Sequence, residues 1–256
     1  MGAMPRRRQR ATSANEASPR RPRIAVNEVV VGGLALDREQ AHYLSRVLRL
    51  GAGDIATLFD ARGREAEATI TQLTREGAAA EVVTVRTRPT LACSLTVALA
   101  TPKGERADWA IEKLTEVGVD RILWLVTERS VMKPDPVGAR TERWTRLARA
   151  AASQSERVGW PQIQGPIPFD QFLTLDSEHR LIADRSGEPL ESWVPHTHPR
   201  SALLGIGPEG GFTTAELEAS ARAGFVPVSL SPNILRVETA AIIGAAMILG
   251  HGGGDS

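Results

Sequence analysis

With 256 residues, 42% of them hydrophobic and 24% charged, the chain has the composition of a globular protein of one or two domains, which excludes a disordered or fibrous chain. Its longest apolar run, residues 240–249, is too short to cross a bilayer, its Arg-rich start lacks the apolar stretch of a secretory signal, and its single cysteine excludes a disulfide framework. These features predict a protein of the reducing cytoplasm.

The formal net charge of +1 conceals an uneven distribution along the chain. Seven arginines and one glutamate lie within residues 1–23, so the rest of the chain is mildly acidic. A basic tail could bind phosphate, but such a composition is more typical of a disordered extension. We therefore predict disorder over residues 1–21.

Short strand-like runs separated by turn signals follow the extension. The predicted strands are residues 24–31, 55–59, 65–73 and 80–85. One helix over residues 38–50 interrupts them, because its apolar residues recur at helical spacing. The pattern predicts a small β-barrel domain over residues 22–88.

Strands alternate with helices beyond Pro89. The predicted strands are residues 95–100, 122–127, 181–184, 202–206 and 226–230. The predicted helices are residues 106–117, 142–155, 214–223 and 238–249. Such alternation favours an α/β fold with a mostly parallel sheet covered on both faces. We place this second domain at residues 89–256.

The sequence GPEGG at residues 207–211 is the first segment that could carry chemistry. It joins a predicted buried strand to a helix that begins with a capping box of Thr213 and Glu216. Glycines let a ligand approach the backbone, and strand ends in α/β sheets commonly bind ligands. The spacing fits neither the dinucleotide fingerprint nor the P-loop. On spacing alone, a tight turn without a ligand is the alternative.

The second segment is residues 230–241. Pro232 and Asn233 predict a loop after a strand, and the helix that follows is apolar beyond its first turn. Arg236 and Glu238 stand at the start of this helix, where burial is costly for a charge without a partner. They are either a structural ion pair or site residues.

These two segments, in this order, resemble the cofactor-binding loops of the RsmE family of SPOUT methyltransferases. The family methylates N3 of a uridine in 16S ribosomal RNA. The resemblance extends to HYLSRVLRL at residues 42–50, to residues 103–119, to ERS at 128–130 and to QSER at 154–157. Glu156 departs from the pattern, which has glycine there. The match covers residues 22–249.

The resemblance implies a PUA-like RNA-binding barrel at residues 22–88 and a SPOUT domain with a C-terminal trefoil knot at residues 89–256. It also implies S-adenosylmethionine (SAM) as cofactor, 16S rRNA of the small ribosomal subunit as substrate, a homodimer, and no metal or membrane. The cofactor-binding residues it implies are Leu204, Gly205, Ile206, Gly207, Pro208, Glu209, Gly210, Gly211, Leu230, Ser231, Asn233, Ile234 and Leu235.

Methyl transfer from a sulfonium requires alignment of donor and acceptor and loss of the acceptor's proton, so no metal is needed. Arg236 is the first candidate for stabilising the developing uracil anion. Glu209 either orients cofactor or substrate or is a carboxylate at a helix N-terminus. Cys93 is expected in the core rather than as a nucleophile. The candidate RNA-binding residues are Arg23, Arg46, Arg49, Lys103, Arg106, Arg129 and Arg157.

Two other functions are possible from the sequence. A ribose 2′-O-methyltransferase of the same superfamily would carry a Ser-Leu-Asn-Val-Ser type of motif, whereas Ile-Leu-Arg-Val-Glu follows Asn233 here. A non-catalytic RNA-binding assembly factor is the second alternative, and the intact glycine and Ile-Leu-Arg segments argue against it. The arginines at 143, 146 and 149 form a stripe that is either an RNA track or a solvated helix face.

Overall fold

The computed structural model describes residues 21–89, 91–102, 104–130, 139–193 and 199–250. Within these ranges the chain forms two six-stranded sheets, the first from strands between residues 23 and 87 and the second from strands between residues 94 and 229. No helix in the described ranges is long and apolar enough to span a membrane. Apart from Arg21, the extension predicted at residues 1–21 lies outside the described residues.

The first sheet has the strand order β1-β3-β4-β5-β2, with β6 paired to β4. β1 runs parallel to β3, and the other pairs are antiparallel. Helix α1 (Arg38–His42) continues as a π-helical turn (Tyr43–Val47), and its buried Leu44 packs into the core of this sheet. The strands are β1 (Arg23–Ala25), β2 (Gly32–Leu36), β3 (Ile55–Phe59), β4 (Arg64–Leu73), β5 (Ala78–Val82) and β6 (Arg86–Thr87).

The second sheet has the order β12-β10-β11-β7-β8-β9, and every neighbouring pair is parallel. This confirms the predicted parallel α/β sheet. Edge strand β9 was not predicted, because its glycine and prolines weaken the strand pattern. The strands are β7 (Ser94–Ala100), β8 (Arg121–Val126), β9 (Gln162–Pro168), β10 (His179–Pro189), β11 (Ser201–Ile206) and β12 (Val226–Ser229).

Helices cover both faces of the second sheet. The core on one face contains side chains of α2 (Arg106–Val117), α3 (Ala139–Gln154) and α7 (Val237–Gly250). The core on the other face contains Phe172 of α4 (Phe169–Leu173), together with Phe212 and Phe225, which flank α6 (Thr214–Arg222). A short helix, α5 (Leu190–Trp193), follows β10 and contacts α7.

Two arginines join the sheets. Arg157, just after α3, donates from Nη1 to the carbonyl oxygen of Thr115 at 3.1 Å, and its own carbonyl oxygen accepts from Arg23 Nη2 at 3.1 Å. Arg23 also donates to Glu65 Oε2 at 2.9 Å, and its guanidinium lies 4.6 Å from the ring centroid of Phe59. These contacts connect β1 directly to the α3–β9 connection and hold the first sheet against the second.

Candidate cofactor and RNA site

A cavity of about 410 Å³ lies at the carboxyl ends of β10, β11 and β12. Its volume is in the range of small-molecule sites, and the carboxyl ends of parallel strands are where such sites form. Both segments singled out in the sequence contribute to its walls. The predicted residues that line it are Ile206, Gly207, Pro208, Glu209, Gly210, Gly211, Leu230, Ser231, Asn233, Ile234 and Leu235.

The glycine loop, residues 207–212, forms one wall of the cavity. Its turn is closed by a 2.8 Å hydrogen bond from the Gly211 amide to the carbonyl oxygen of Pro208. Gly211 has φ +68°, and a Cβ built there would meet no atom within 4 Å. A Cβ on Gly207 would lie 3.1 Å from the Phe212 ring. The loop therefore needs glycine for its turn at one position and for close packing at the other.

Arg129, from the loop after β8, reaches across to this wall. Its Nη1 donates to the carbonyl oxygen of Gly210 at 2.6 Å and to that of Phe212 at 3.4 Å. The side chain of Arg129 also lines the cavity. The ERS segment and the glycine loop, which are distant in sequence, thus meet at one site.

The loop after β12 forms another wall. The Asn233 amide donates to Ser231 Oγ at 3.1 Å, which closes a local turn. Ile234 is 79% exposed although it lies at the cavity.

Arg236 and Glu238 have different environments. Arg236 is exposed and stands next to the cavity-lining Leu235, but it does not itself line the cavity. Glu238 is 4% exposed, and its Oε2 has no hydrogen-bond partner among the described atoms. Across the described residues no ion pair joins the two side chains, so the structural ion pair is not formed and the site role of Arg236 stays a prediction.

Leu204 and Gly205 lie in the core beneath the cavity rather than in its walls. Both are buried within β11. A Cβ on Gly205 would lie 2.7 Å from the Phe172 ring, and Leu204 Cδ2 would lie 2.6 Å from a Cβ on Gly244. The structure thus places these two predicted cofactor residues in the packing between the sheet and its covering helices.

A bulge in β10 contributes cavity residues that sequence reasoning missed. The pairing of β10 with β12 shifts register between Ala183 and Glu188. Within this bulge, Asp184 Oδ1 accepts from the Ser186 amide at 2.9 Å, and the exposed Arg185 lines the cavity. No motif marks these residues, because their relevance depends on β10 pairing between β11 and β12.

The predicted RNA-binding residues fall into two groups. Arg46 and Arg49 are exposed at the π-helical turn of the first sheet. The side chain of Arg106, at the start of α2, is 39% exposed, and its Nη1 lies 3.8 Å from Glu209 Oε1. Together with Arg129, these side chains are accessible or line the cavity, as contact with RNA requires.

Arg23 and Arg157 form the second group, because both are buried at the junction of the sheets, with side chains 9% and 11% exposed. Burial lowers the pKa of Arg157, opposed by the charge of Asp120. Their guanidinium groups bind protein acceptors, which favours a structural role over contact with RNA. Lys103 lies outside the described residues.

The three arginines of the stripe on α3 do not share one environment. Arg143 pairs with Asp108 of α2. Arg149 donates to Asn27 Oδ1 at 2.9 Å, and its guanidinium lies 4.8 Å from the Trp160 ring centroid. Two of the three arginines thus bind neighbouring elements, and the stripe is not a continuous free cationic face.

Cys93 is buried beside β7, as predicted for a core residue. Burial, with smaller contributions from the negative charges of Asp120 and Glu178, raises the pKa of its thiol to about 11. A thiol with so high a pKa is a poor nucleophile at neutral pH. In the ranges that the structure describes, no group of three or more His, Cys, Asp or Glu side chains could hold a metal ion.

The second sheet is all parallel and carries a ligand-sized cavity at its strand ends, whereas the first sheet presents exposed arginines. Together they define an α/β enzyme domain with a second, binding module. Two family models agree with this division into two parts. Residues 89–249 match the RNA methyltransferase domain, and residues 36–83 match the RNA methyltransferase PUA domain. The protein is therefore an RNA methyltransferase.

The relatives narrow this class to one family. The chain is 34% identical over 231 residues to the ribosomal RNA small subunit methyltransferase E of Synechocystis, covering 88% of this chain and 75% of the relative. It is 31% identical over 222 residues to the Bacillus subtilis protein of the same name, covering 82% and 87%. The chain belongs to the ribosomal RNA small subunit methyltransferase E family, which confirms the resemblance found in the sequence.

Solved structures share its fold. One is the ribosomal RNA small subunit methyltransferase E of Neisseria gonorrhoeae, bound to SAM. It aligns with a TM-score of 0.81 at 28% identity, and the alignment covers 90% of this chain and 98% of the Neisseria chain. A methyltransferase of Legionella pneumophila, in complex with SAM, aligns with a TM-score of 0.83 at 30% identity, and the alignment covers 91% of this chain and 98% of the Legionella chain. The likeness extends over both sheets.

Proposed function

We propose that this protein transfers the methyl group of SAM to N3 of a uridine in 16S rRNA of the small ribosomal subunit. The observation that carries the proposal is the cavity at the ends of β10, β11 and β12, which is built from the two segments that resemble the cofactor loops of the family. When bound, SAM supplies a methyl group already activated by its sulfonium.

The cavity suits SAM in size and chemistry. Leu230, Leu235 and Ala240 provide an apolar wall for an adenine ring, and the glycine loop offers backbone groups to the polar atoms. Arg129 and Arg185 add positive charge to the walls.

Arg236 is proposed to stabilise the anion that forms as the uracil imide loses its proton. It stands exposed at the entrance to α7, one residue after the cavity-lining Leu235. A preorganised cation facing developing negative charge lowers the barrier to its formation. Glu209 is half-exposed and pairs with Arg106, so we assign it to orienting the loop and its ligands.

RNA contact is proposed for both parts of the chain. Residues 22–88 act as the RNA-binding module through Arg46 and Arg49, and residues 89–256 act as the methyltransferase domain. Arg106, Arg129 and Arg185 extend the cationic surface to the cavity. Arginine suits this role because its planar guanidinium binds phosphate with two hydrogen bonds.

A homodimer formed through α7 is also proposed. This helix has no charged residue after Glu238, yet Ile242 and Ile243 are only partly buried and Ala246 is exposed. On the neighbouring helix α2, Trp109 is 44% exposed. A second copy of the chain would cover this apolar surface, as the family resemblance implies.

The C-terminal segment is further proposed to form the trefoil knot. β12 lies at the edge of the sheet beyond β10, whereas α7, which follows it, packs against β7 and β11. The chain must therefore return across β10. Helix α7 also contacts α5, which lies in the crossover from β10 to β11, and this contact supports threading of α7 past that crossover.

The test is methylation by the purified protein. It is incubated with radiolabelled SAM and either free 16S RNA or small subunits from a strain that lacks the enzyme, and the digested product is analysed for 3-methyluridine. We expect 3-methyluridine, and near-complete loss of activity without loss of SAM binding in Arg236→Ala. A 2′-O-methylated product, or no SAM binding by the folded protein at millimolar concentration, would overturn the proposal.

A further inference from the structure

Glu216 bonds with its two carboxylate oxygens to two different segments of the chain. Oε2 accepts from the Thr213 amide at 2.8 Å, and Oε1 accepts from the Glu128 amide at 2.9 Å. The first bond completes the capping box of α6, in which Thr213 Oγ1 accepts from the Glu216 amide at 3.2 Å. The capping box requires only these two reciprocal bonds between Thr213 and Glu216. The bond to Glu128 lies outside the cap and joins α6 to the loop after β8.

This second bond fixes the residue that precedes Arg129. The loop is already closed upon itself, because the Thr127 amide donates to Ser130 Oγ at 2.9 Å. At the other end of Arg129, the guanidinium is bonded to the carbonyl oxygen of Gly210 at 2.6 Å. Arg129 is therefore held by Glu216 through the backbone amide of the preceding residue, and at its tip by the glycine loop that precedes α6.

We propose that Glu216 is a positioning residue that holds Arg129 across the glycine loop and so sets the shape of the cofactor cavity. The inference rests on the proposed function, since it assigns SAM to that cavity. Glu216 is 8% exposed and does not line the cavity, so it acts through Arg129. Its loss would leave two backbone amides without their charge-assisted acceptor and free the loop after β8 to move.

A simple helix cap is the competing explanation, and Thr213→Ala separates the two. This substitution removes the threonine oxygen of the capping box but keeps the bond from Glu128 to Glu216. Glu216→Ala removes both carboxylate bonds, those from the Thr213 and Glu128 amides, but keeps the bond from its own amide to Thr213 Oγ1. Both variants should lose stability, with a fall in melting temperature of about 2–4 °C for each kcal/mol lost. Only Glu216→Ala should alter the cavity.

The measurements are the dissociation constant for SAM by calorimetry, the melting temperature, and hydrogen exchange at the Glu128 amide. We expect Glu216→Ala to weaken SAM binding about tenfold, as loss of a charge-assisted hydrogen bond predicts, and to speed that exchange. Thr213→Ala should bind SAM within about twofold of wild type. Glu216→Gln keeps one acceptor oxygen, so its dissociation constant for SAM should lie between those of wild type and Glu216→Ala. Glu218→Ala, at an exposed position of α6, is the matched control.

A double-mutant cycle with Arg129→Ala shows whether Glu216 acts through Arg129. The double variant should bind SAM no more weakly than Arg129→Ala alone. Additive losses, or equal weakening by Thr213→Ala and Glu216→Ala, would overturn the positioning role. If the proposed function is wrong, the wild-type protein does not bind SAM. If only the positioning role is wrong, the wild-type protein binds SAM and the variants do not differ as expected.

Discussion

Arg129 donates a 2.6 Å hydrogen bond to the carbonyl oxygen of Gly210, a residue 81 positions further along the chain. The bond brings the loop after β8 against the glycine loop at the wall of the cavity. It occupies Nη1 of Arg129, while the residue stays exposed at the cavity. Arg185, exposed on the bulge of β10, is the other arginine that lines the cavity.

Arg185→Ala should weaken RNA binding. An exposed arginine at the cavity is placed to contact a phosphate of the bound RNA. Loss of one such contact lowers the slope of the logarithm of the binding constant against the logarithm of salt concentration by about one. We expect the KM for ribosomal RNA to rise about tenfold, measured at two salt concentrations. Arg222→Ala, exposed on α6, is the control. Weaker SAM binding with an unchanged RNA KM would assign Arg185 to the cofactor instead.

Gly211→Ala and Gly53→Ala form a matched pair. Both glycines have positive φ, +68° and +94°, and neither has an atom within 4 Å of a built Cβ. Each substitution should cost about 1–2 kcal/mol from backbone strain. Only Gly211→Ala should also weaken SAM binding, because Gly211 lines the cavity. Unfolding in urea and calorimetry measure the two effects, and equal SAM affinity in both variants would contradict the assignment of the cavity.

Asp60 should contribute to stability in a pH-dependent way. Burial alone would raise the pKa of this fully buried carboxyl, but hydrogen bonds from the Val29 amide, the Arg64 side chain and the Arg62 and Arg64 amides outweigh it and hold the pKa below 3.8. The stabilisation is therefore complete above the unfolded-state pKa and is lost as the pH falls through the lowered folded-state value.

Asp60→Asn should consequently lower the free energy of unfolding by about 2–3 kcal/mol at pH 7, and by less as the pH falls below about 4. Urea unfolding of both proteins across this range measures the difference. Asp54→Asn, in an exposed turn of the same sheet, is the control. A difference that is independent of pH would show that the charge of Asp60 contributes nothing.

Cys93 should be inert in the folded protein. With a thiol pKa of about 11, only about one thiol in a thousand is ionised at pH 8, and burial excludes the reagent. Iodoacetamide should therefore label Cys93 at pH 8 only after unfolding in urea, as followed by mass spectrometry. Labelling of the native protein at the rate seen in urea would contradict this burial.

Ala246→Asp should disrupt the proposed dimer. It places a charge on the exposed apolar face of α7, where a second copy would exclude water. Sedimentation analysis should show a monomer for this variant and a dimer for wild type. Ala221→Asp, on the exposed face of α6, should remain dimeric. A monomeric wild-type protein at micromolar concentration would refute this interface.

Elements whose signals are local were predictable. The capping box of Thr213 and Glu216, the glycine turn at residues 207–211 and the alternation of strands with helices all depend on neighbours in sequence. β2 was missed, because Gly32 and Gly33 weaken its strand pattern, and its pairing with β5 supplies what local propensity does not.

The sequence by itself thus determined the fold class, the family and the two loops of the site, since these follow from local patterns. Only the tertiary structure decided which arginines are free. Arg23 and Arg157 became a buried junction, and Arg185 came to the cavity. The Glu128–Glu216 bond likewise joins residues 88 positions apart. The physical reason is that strand order brings together segments that no local pattern relates.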